Sequence, residues 1–360
     1  MEKQHQRFFD FLRFCIGSHS EIPSSLNEAD WNELYAIAQK QALVGILFDG
    51  IQKLPSSDVG ISRDLLLQWM AQCQMLEKVN MRLNDAAIQV SEWFRKKGFR
   101  TCILKGQGNA LLYSNGLHRT PGDIDIWVEG GDKRVISFVR SISPHEKACY
   151  HHIEFPSYKG VEVEVHYRPS FLLCFWHNRR LQKYYERVKE EQFSHRVKLG
   201  EQGVITIPTV EFNLIFQLTH IYAHLMNEGI GLRQLLDYYF VLLHADIKDV
   251  VELQRNLKHI GLWKFAGAIM YIMHEVFGMP ASRLIVPPNE KYGKFVLNEV
   301  LEAGNFGKHD KRNRLGKSQL GHNLQRVYRD MRLVKYFPAE ALCEPIYRTW
   351  HFFWRMKNKK

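Results

Sequence analysis

Leu104-Lys105-Gly106-Gln107, followed by Arg119-Thr120-Pro121-Gly122-Asp123-Ile124-Asp125-Ile126-Trp127-Val128, is the part of this chain that decides its fold. A glycine turn follows an apolar strand, and an Asp-Ile-Asp lies in a second strand. Side chains alternate along a strand, so Asp123 and Asp125 share one face while Ile124, Ile126 and Val128 point into a core. Two carboxylates one pleat apart can grip one or two Mg²⁺ ions, hard cations that take oxygen ligands and substrate phosphates.

Working outward, the hundred residues before this stretch read as helix. Phe8, Phe9, Phe11, Leu12 and Cys15 form an apolar stripe. Ser25-Leu26-Asn27-Glu28 has the pattern of a capping box ahead of Trp31, Leu34, Tyr35 and Ala38. Leu54-Pro55-Ser56-Ser57 predicts a loop, and the spacing then predicts a long helix over 63–97 stopped by Gly98. The period changes at 100–104, a short buried strand, and 107–113 reads as a helix starting at the glycine turn.

After the acidic strand, 133–141 returns to helix. A hairpin follows, with strands at 151–155 and 161–167 joined at Tyr158-Lys159-Gly160. In its second strand Val161, Val163 and Val165 line one face, and Glu162, Glu164 and His166 line the other. A last strand at 204–207 precedes Thr209, a helix cap, and helical patterns at 212–226, 232–244 and 253–276. The expected fold is α+β: a helical region over 1–98, a small mixed-sheet core over 99–208, and a helical region with a basic end over 209–360.

Composition agrees with a folded chain of two or three structural units. Its 360 residues are 45% hydrophobic and 24% charged. No apolar run reaches the roughly 18 residues that span a bilayer, and Met1–Arg7 opens no signal-peptide pattern, so no membrane partner is expected. Six scattered cysteines without a Cys-x-x-Cys pair read as reduced thiols of a cytoplasmic protein. The net charge of +11 is concentrated, because residues 308–360 alone carry +10. That end is either an arm for RNA or another acidic partner, or a solvated helix face.

Moving a nucleotide requires carboxylates to place the metal, backbone amides or cations to hold phosphates, and a group to activate the attacking hydroxyl. Asp123 and Asp125 suit the first requirement. The Gly106 turn suits the second, with Gln107 beside it and Lys105 and Arg119 adding positive charge. Glu164, on a later strand, suits the third or completes the metal site.

On these residues the chain resembles the DNA-polymerase-β-like nucleotidyltransferase superfamily. LKGQGNALLY, RTPGDIDIWV and VEVHYR, with LTHIYAHL and GLRQLLDYY downstream, are similar to an uncharacterised bacterial nucleotidyltransferase family with many members in Bacteroidetes. The resemblance implies a small mixed sheet with helices and a nucleoside triphosphate as substrate, with Mg²⁺ or Mn²⁺ as cofactor. It places the metal at Asp123, Asp125 and Glu164, and the phosphates at Lys105, Gly106, Gln107 and Arg119. The chain departs from the superfamily pattern in having Gln107 in place of a small residue, a long gap from Gly106 to Asp123, and Glu as third carboxylate.

The expected activity is transfer of a nucleoside monophosphate to a hydroxyl of an acceptor, a small molecule, protein or RNA, with release of pyrophosphate. A nucleotide-binding module with little turnover is the alternative. His166, Arg168, His220, His224 and Arg233 are candidate substrate contacts, each with a structural reading beside it. His220 and His224 are four apart on a helix but lack the glutamate of a zinc-protease motif, and Arg233 and Asp237 have the spacing of an i,i+4 ion pair. Trp127 is on the Asp face, placed either to stack on a base or to pack. Tyr347, Trp350, Phe353 and Trp354 read as helix packing first and as a nucleic-acid platform second.

Overall fold

The first helix buries Phe8, Phe9, Phe11 and Leu12 completely. This helix is α1 (Lys3–Cys15), and α2 (Trp31–Gln41), α3 (Val44–Ile51) and α4 (Arg63–Lys96) follow it. The structure is a computed structural model that describes residues 3–28, 30–55, 60–201, 203–310, 312 and 319–358. The expected capping box over 25–28 does not open α2. Asp30 does so instead, because its carboxylate accepts the N–H groups of Asn32 and Glu33, and residues 24–28 form a separate 3-10 turn. Ser56 and Ser57 of the expected loop lie outside the described residues.

Helix α4 runs for 34 residues, about 50 Å at 1.5 Å per residue. It starts at the Ser62 hydroxyl, which accepts the Leu65 N–H, and stops before Gly98, whose φ is 81°. Its first half buries Leu65, Trp69 and Cys73 in one hydrophobic cluster, and its second half buries Leu83, Ala87, Val90 and Phe94 in another. One helix therefore ties two cores together.

The second core belongs to a four-stranded mixed sheet. Its elements are β1 (Thr101–Leu104), α5 (Gly106–Ala110), β2 (Ile124–Val128), α6 (Gly131–Ile142), β3 (His152–Tyr158) and β4 (Val161–His166). The strand order is β1-β2-β4-β3, with β2 and β4 parallel and both outer pairs antiparallel. Ile124, Ile126, Val128, Val163 and Val165 pack one face against α4 and α6. Cys102, Leu104 and Trp127 turn the other way, into the larger core. The expected helix at 107–113 is shorter, ending at Ala110.

Helix α7 (Phe175–Ser194) leads to a two-stranded sheet of β5 (Arg196–Leu199) and β6 (Gly203–Thr206). The sequence reading missed β5, since its Arg196 and Lys198 alternate on a short exposed edge. Thr209 caps α8 (Val210–Asn227) through the Phe212 N–H, as expected. Then come α9 (Leu232–His244), α10 (Val250–Ile260), α11 (Trp263–Glu275), α12 (Glu290–Ala303), α13 (Gln319–Leu333) and α14 (Pro338–Lys357). The single helical pattern over 253–276 is two helices, because Gly261 adopts a left-handed cap at φ 85° and turns the chain.

Residues from both ends of the chain share the larger core. Phe8 and Leu12 pack in the same cluster as Tyr222, Met270 and Phe337. Polar clamps reinforce this: Arg13 donates to the Val276 carbonyl at 3.2 Å and Gln41 to the Val300 carbonyl at 3.3 Å. The protein is thus α+β, mostly helical with a small mixed sheet. Among the described residues no helix is long and apolar enough to cross a membrane.

Candidate functional site

Strand register assembles the site. Parallel pairing sets Asp125 opposite Glu164, and antiparallel pairing sets His152 opposite His166. With period-2 alternation, Asp125, Glu164, His166 and His152 share one face of the sheet. That face forms a wall of a cleft of about 650 Å³, also lined by Lys105, Gly106 and Asp123, with α8 and α9 opposite.

The turn that opens the cleft has an unusual backbone. Lys105 has φ 50° and ψ −134°, and Gly106 follows with φ 38°. A side chain in that conformation costs on the order of 1–3 kcal/mol, which the surrounding contacts must offset. Lys105 Nζ reaches Asp125 Oδ2 at 2.9 Å and His220 Nε2 at 3.0 Å. With only five residues, α5 presents little helix dipole, so the turn offers Gly106 and an ammonium more than a helix end.

Charges in the cleft are uneven. The neighbouring Asp125 charge and then burial push the Asp123 carboxyl up to about 6, against the pull of Lys105. Burial also works against the Asp125 charge, but Lys105 and His166 override it and hold that carboxyl well below its ordinary range. His166 Nε2 lies 2.8 Å from Asp125 Oδ1 and 3.4 Å from Glu164 Oε2. Although burial opposes the charge, these carboxylates push the imidazole up to about 9. Glu164 is lowered in turn, by His166 and His152 against its burial.

Three other imidazoles, His151, His152 and His220, stay neutral. Burial, with His166 next to it, brings His152 down to about 4, and burial drives His151 and His220 well below the usual histidine value. Neutral His220 accepts from Lys105 and lies 2.9 Å from His224 Nε2. Asp125, Glu164 and His166 each offer a ligand atom within 4.8 Å of the others, as do His151, His152 and His166. The two carboxylates suit a divalent cation of the Mg²⁺ or Mn²⁺ class, whereas the protonated His166 nitrogen between them has no lone pair to offer it.

Most of the residues singled out from sequence line this cleft: Lys105, Gly106, Arg119, Asp123, Asp125, Glu164, His166, His220, His224 and Arg233. Two do not. The Gln107 side chain is buried and donates its amide to Asn84 on α4. Arg168 turns away, donating to the Tyr150 carbonyl at 2.6 Å and to Asp132 at 2.9 Å. Trp127 is packing, with its ring 4.5 Å from that of Phe193 and 6.0 Å from that of Phe212.

Arg119 and Arg233 differ from their sequence reading. The expected i,i+4 pair of Arg233 with Asp237 is absent, because Arg119 takes both Asp237 oxygens at 2.7 Å each. Arg119 is therefore already matched to a carboxylate. Arg233 is left with the Thr120 carbonyl at 3.4 Å and the Phe306 ring at 5.7 Å, and its Nε has no hydrogen-bond partner among the described residues. It is 7% exposed, a buried guanidinium on the cleft wall with hydrogen-bonding capacity left over.

Sequence reasoning missed His151, His152, Asn109, Gln217 and Phe171, all of which line the cleft. Counting back from the hairpin turn pairs His152 with Tyr167; the register shift between Phe155 and Tyr158 sets it opposite His166 instead, and nothing in the local pattern announces that shift. Along the basic C-terminal stretch, Arg312 bonds Asp310 and Glu299, Arg332 lies 3.4 Å from Glu299, and Arg348 lies 3.8 Å from Glu344. Lys311, Arg314, Lys317, Lys359 and Lys360 are outside the described residues. Tyr347 is buried and stacks on Phe171 at 5.3 Å, whereas Phe353 is exposed.

Comparison with known proteins gives one family. A profile described as an uncharacterised nucleotidyltransferase matches residues 27–278. No functionally curated protein matches the chain. A solved structure, an antigenic nucleotidyltransferase-like protein from Paracoccidioides brasiliensis, is similar at 13% identity. It covers 57% of this chain and 94% of its own length, with a TM-score of 0.35.

Proposed function

The chain belongs to the uncharacterised nucleotidyltransferase family, and on that premise we propose that it is a Mg²⁺-dependent enzyme. In this reading it moves a nucleoside monophosphate from a triphosphate to a hydroxyl and releases pyrophosphate. The observation that carries this is the register of Asp125 beside Glu164, with Asp123 one residue ahead of the strand and Lys105 bonded to Asp125.

The residues fit a divalent cation by charge as well as by donor type. The Asp123 carboxyl is raised by the Asp125 charge beside it and by burial, a repulsion that a cation between the two would relieve. Asp123, Asp125 and Glu164 would hold the ion, and His166, protonated between Asp125 and Glu164, would act as a neighbouring cation and not as a ligand. When bound, a divalent metal neutralises the triphosphate and polarises the reacting phosphorus.

The protein's own groups supply the rest. Lys105 and the open backbone of Gly106 face the phosphates, and Arg233 adds its unpartnered Nε. Glu164 takes the proton of the attacking hydroxyl at its carboxylate as the acceptor oxygen bonds to the α-phosphorus. The α–β phosphoanhydride bond breaks, and pyrophosphate leaves with the electron pair. The acceptor sits on the side of His151, His152 and Phe171. A cytoplasmic location fits six free cysteines.

The test is transfer of label from each α-labelled NTP, with Mg²⁺ or Mn²⁺, to pooled small metabolites, protein and RNA. Label should move with wild type and not with the Asp123→Asn/Asp125→Asn double variant. Equal transfer by both, or none under any combination, overturns the proposal. One observation favours a second reading, a nucleotide-binding module with little turnover: His166 already bridges Asp125 and Glu164. Calorimetric binding of ATP with Mg²⁺ and no pyrophosphate release would select it. An RNA acceptor held by the basic C-terminus requires RNA binding that falls steeply with salt.

A further inference from the structure

Away from the cleft, the start of α7 meets α14 through four side chains with metal-binding chemistry. Cys174 is the residue before α7 and His177 lies three further on; Glu340 and Cys343 are three apart on α14. Cys174, His177 and Glu340 each offer a ligand atom, and the three atoms lie within 4.8 Å of one another. Cys343 is one turn on from Glu340 and near enough to Cys174 for that thiol to act on it, just outside the group of three. Cys174 and Glu340 are buried, at 4% and 2% exposure.

We propose that Cys174, His177, Glu340 and Cys343 form a structural zinc site that ties α14 to the start of α7. Two thiolates, an imidazole and a carboxylate are a donor set that selects zinc over Mg²⁺ or Ca²⁺. Geometry agrees. His177 Nδ1 and Glu340 Oε1 are 3.2 Å apart, and a tetrahedron with bonds of about 2.0–2.1 Å has edges of about 3.4 Å between such atoms.

Helix capping explains only half of this arrangement. Glu340 Oε2 accepts the N–H groups of Leu173 at 2.6 Å and Cys174 at 3.1 Å, which accounts for that oxygen. His177 Nδ1 hydrogen-bonds the other oxygen, Oε1, but neither bond gives a reason for the Cys174 thiol to stand within 4.8 Å of both groups. The His177 ring lies directly against Gly261, where a Cβ would come within 2.4 Å of it, so the glycine leaves room for the ring. Burial and the adjacent Cys174 thiol push Cys343 up to about 11. Uptake of the metal releases both thiol protons to water, with no change of oxidation state.

The position gives the site a purpose. The segment before α7 carries Ser170 and Phe171, which line the cleft, and Tyr347 of α14 stacks on Phe171 at 15° between the rings. A zinc clamp at 174–177 and 340–343 holds the last helix against that wall.

The full-length protein, kept reduced and loaded with zinc and then with Co²⁺, provides the test. Cobalt bound by Cys174 and Cys343 gives thiolate charge-transfer absorption. The cleft has no cysteine among its lining residues, so cobalt there cannot mimic it. The bands are expected in wild type and lost in Cys174→Ser/Cys343→Ser. No bands from reduced wild type, or bands unchanged in the double variant, overturn the proposal. A second measurement needs no variant: zinc should shield Cys343 from alkylation until a chelator is added, while Cys149 reacts at the same rate throughout. Equal alkylation of Cys343 with and without zinc refutes the site independently of how the variant folds.

Discussion

Removing Asp237 should be among the most damaging single changes available in the cleft wall. Its carboxylate takes Arg119 Nε and Nη2 at 2.7 Å each and the Tyr113 hydroxyl at 2.7 Å, with all three side chains buried. In Asp237→Ala the Arg119 guanidinium stays buried, with no carboxylate and with Arg233 as a nearby like charge. Breaking one side of such a pair costs about 3–5 kcal/mol, mostly because the remaining charge is stranded. Tyr113→Phe removes one hydrogen bond to a charged group and should cost about 1.5–3 kcal/mol. Replacing both charges together, Arg119→Met with Asp237→Leu, should cost much less than the sum of the two single changes. Burial opposes the Asp237 charge, but Arg119 overrides it and holds the carboxyl below its ordinary value. Its contribution is therefore complete above the unfolded value of about 4 and is lost only as pH falls through the lower folded value. Urea denaturation at neutral pH, read at unchanged slope, measures these costs. A loss below about 1 kcal/mol for Asp237→Ala would mean the pair behaves as a solvated surface contact, and the reasoning fails.

Three further outcomes follow from placement. Gln107→Ala should leave nucleotide binding unchanged in equilibrium titration and lower stability by about 1 kcal/mol, because its amide serves Asn84 rather than the cleft. Arg233→Ala should weaken triphosphate binding more than monophosphate binding, about tenfold or more for one lost charge-assisted contact of roughly 1.5–3 kcal/mol; equal loss for both would place Arg233 away from the phosphates. His118, 2.5 Å from Asp49 and 2.9 Å from Glu77, is held above its ordinary value chiefly by the Asp49 hydrogen bond, against burial. That stabilisation is full below about pH 6.5 and is lost as pH rises through the raised folded value, so His118→Gln should flatten stability against pH over that window.

Local pattern made the order of elements legible. Alternation placed β2 and β4, Thr209 announced α8, and Gly98 announced the end of α4. Strand parity was enough to put Asp123, Asp125 and Glu164 on one side. What parity could not give was the partner of each charge, because that depends on contacts remote in sequence. Arg119 and Asp237 meet across 118 positions, so nearness on a helix suggested the wrong arginine for Asp237. Gln107 followed the glycine as a phosphate-binding residue should, but Asn84 on α4 takes its amide. Cys174 and Cys343 show the same limit: no Cys-x-x-Cys spacing marks them, and only the packing of α14 on α7 brings them together.

The account rests on a divalent cation bound by Asp123, Asp125 and Glu164 together with a triphosphate. Mn²⁺ titrated into the protein, followed by electron paramagnetic resonance with and without each NTP, reads that binding directly. The account predicts that a triphosphate tightens Mn²⁺ binding in wild type, and that Asp123→Asn/Asp125→Asn and Glu164→Gln each lose this tightening. Undiminished nucleotide-linked Mn²⁺ binding in folded variants would contradict it.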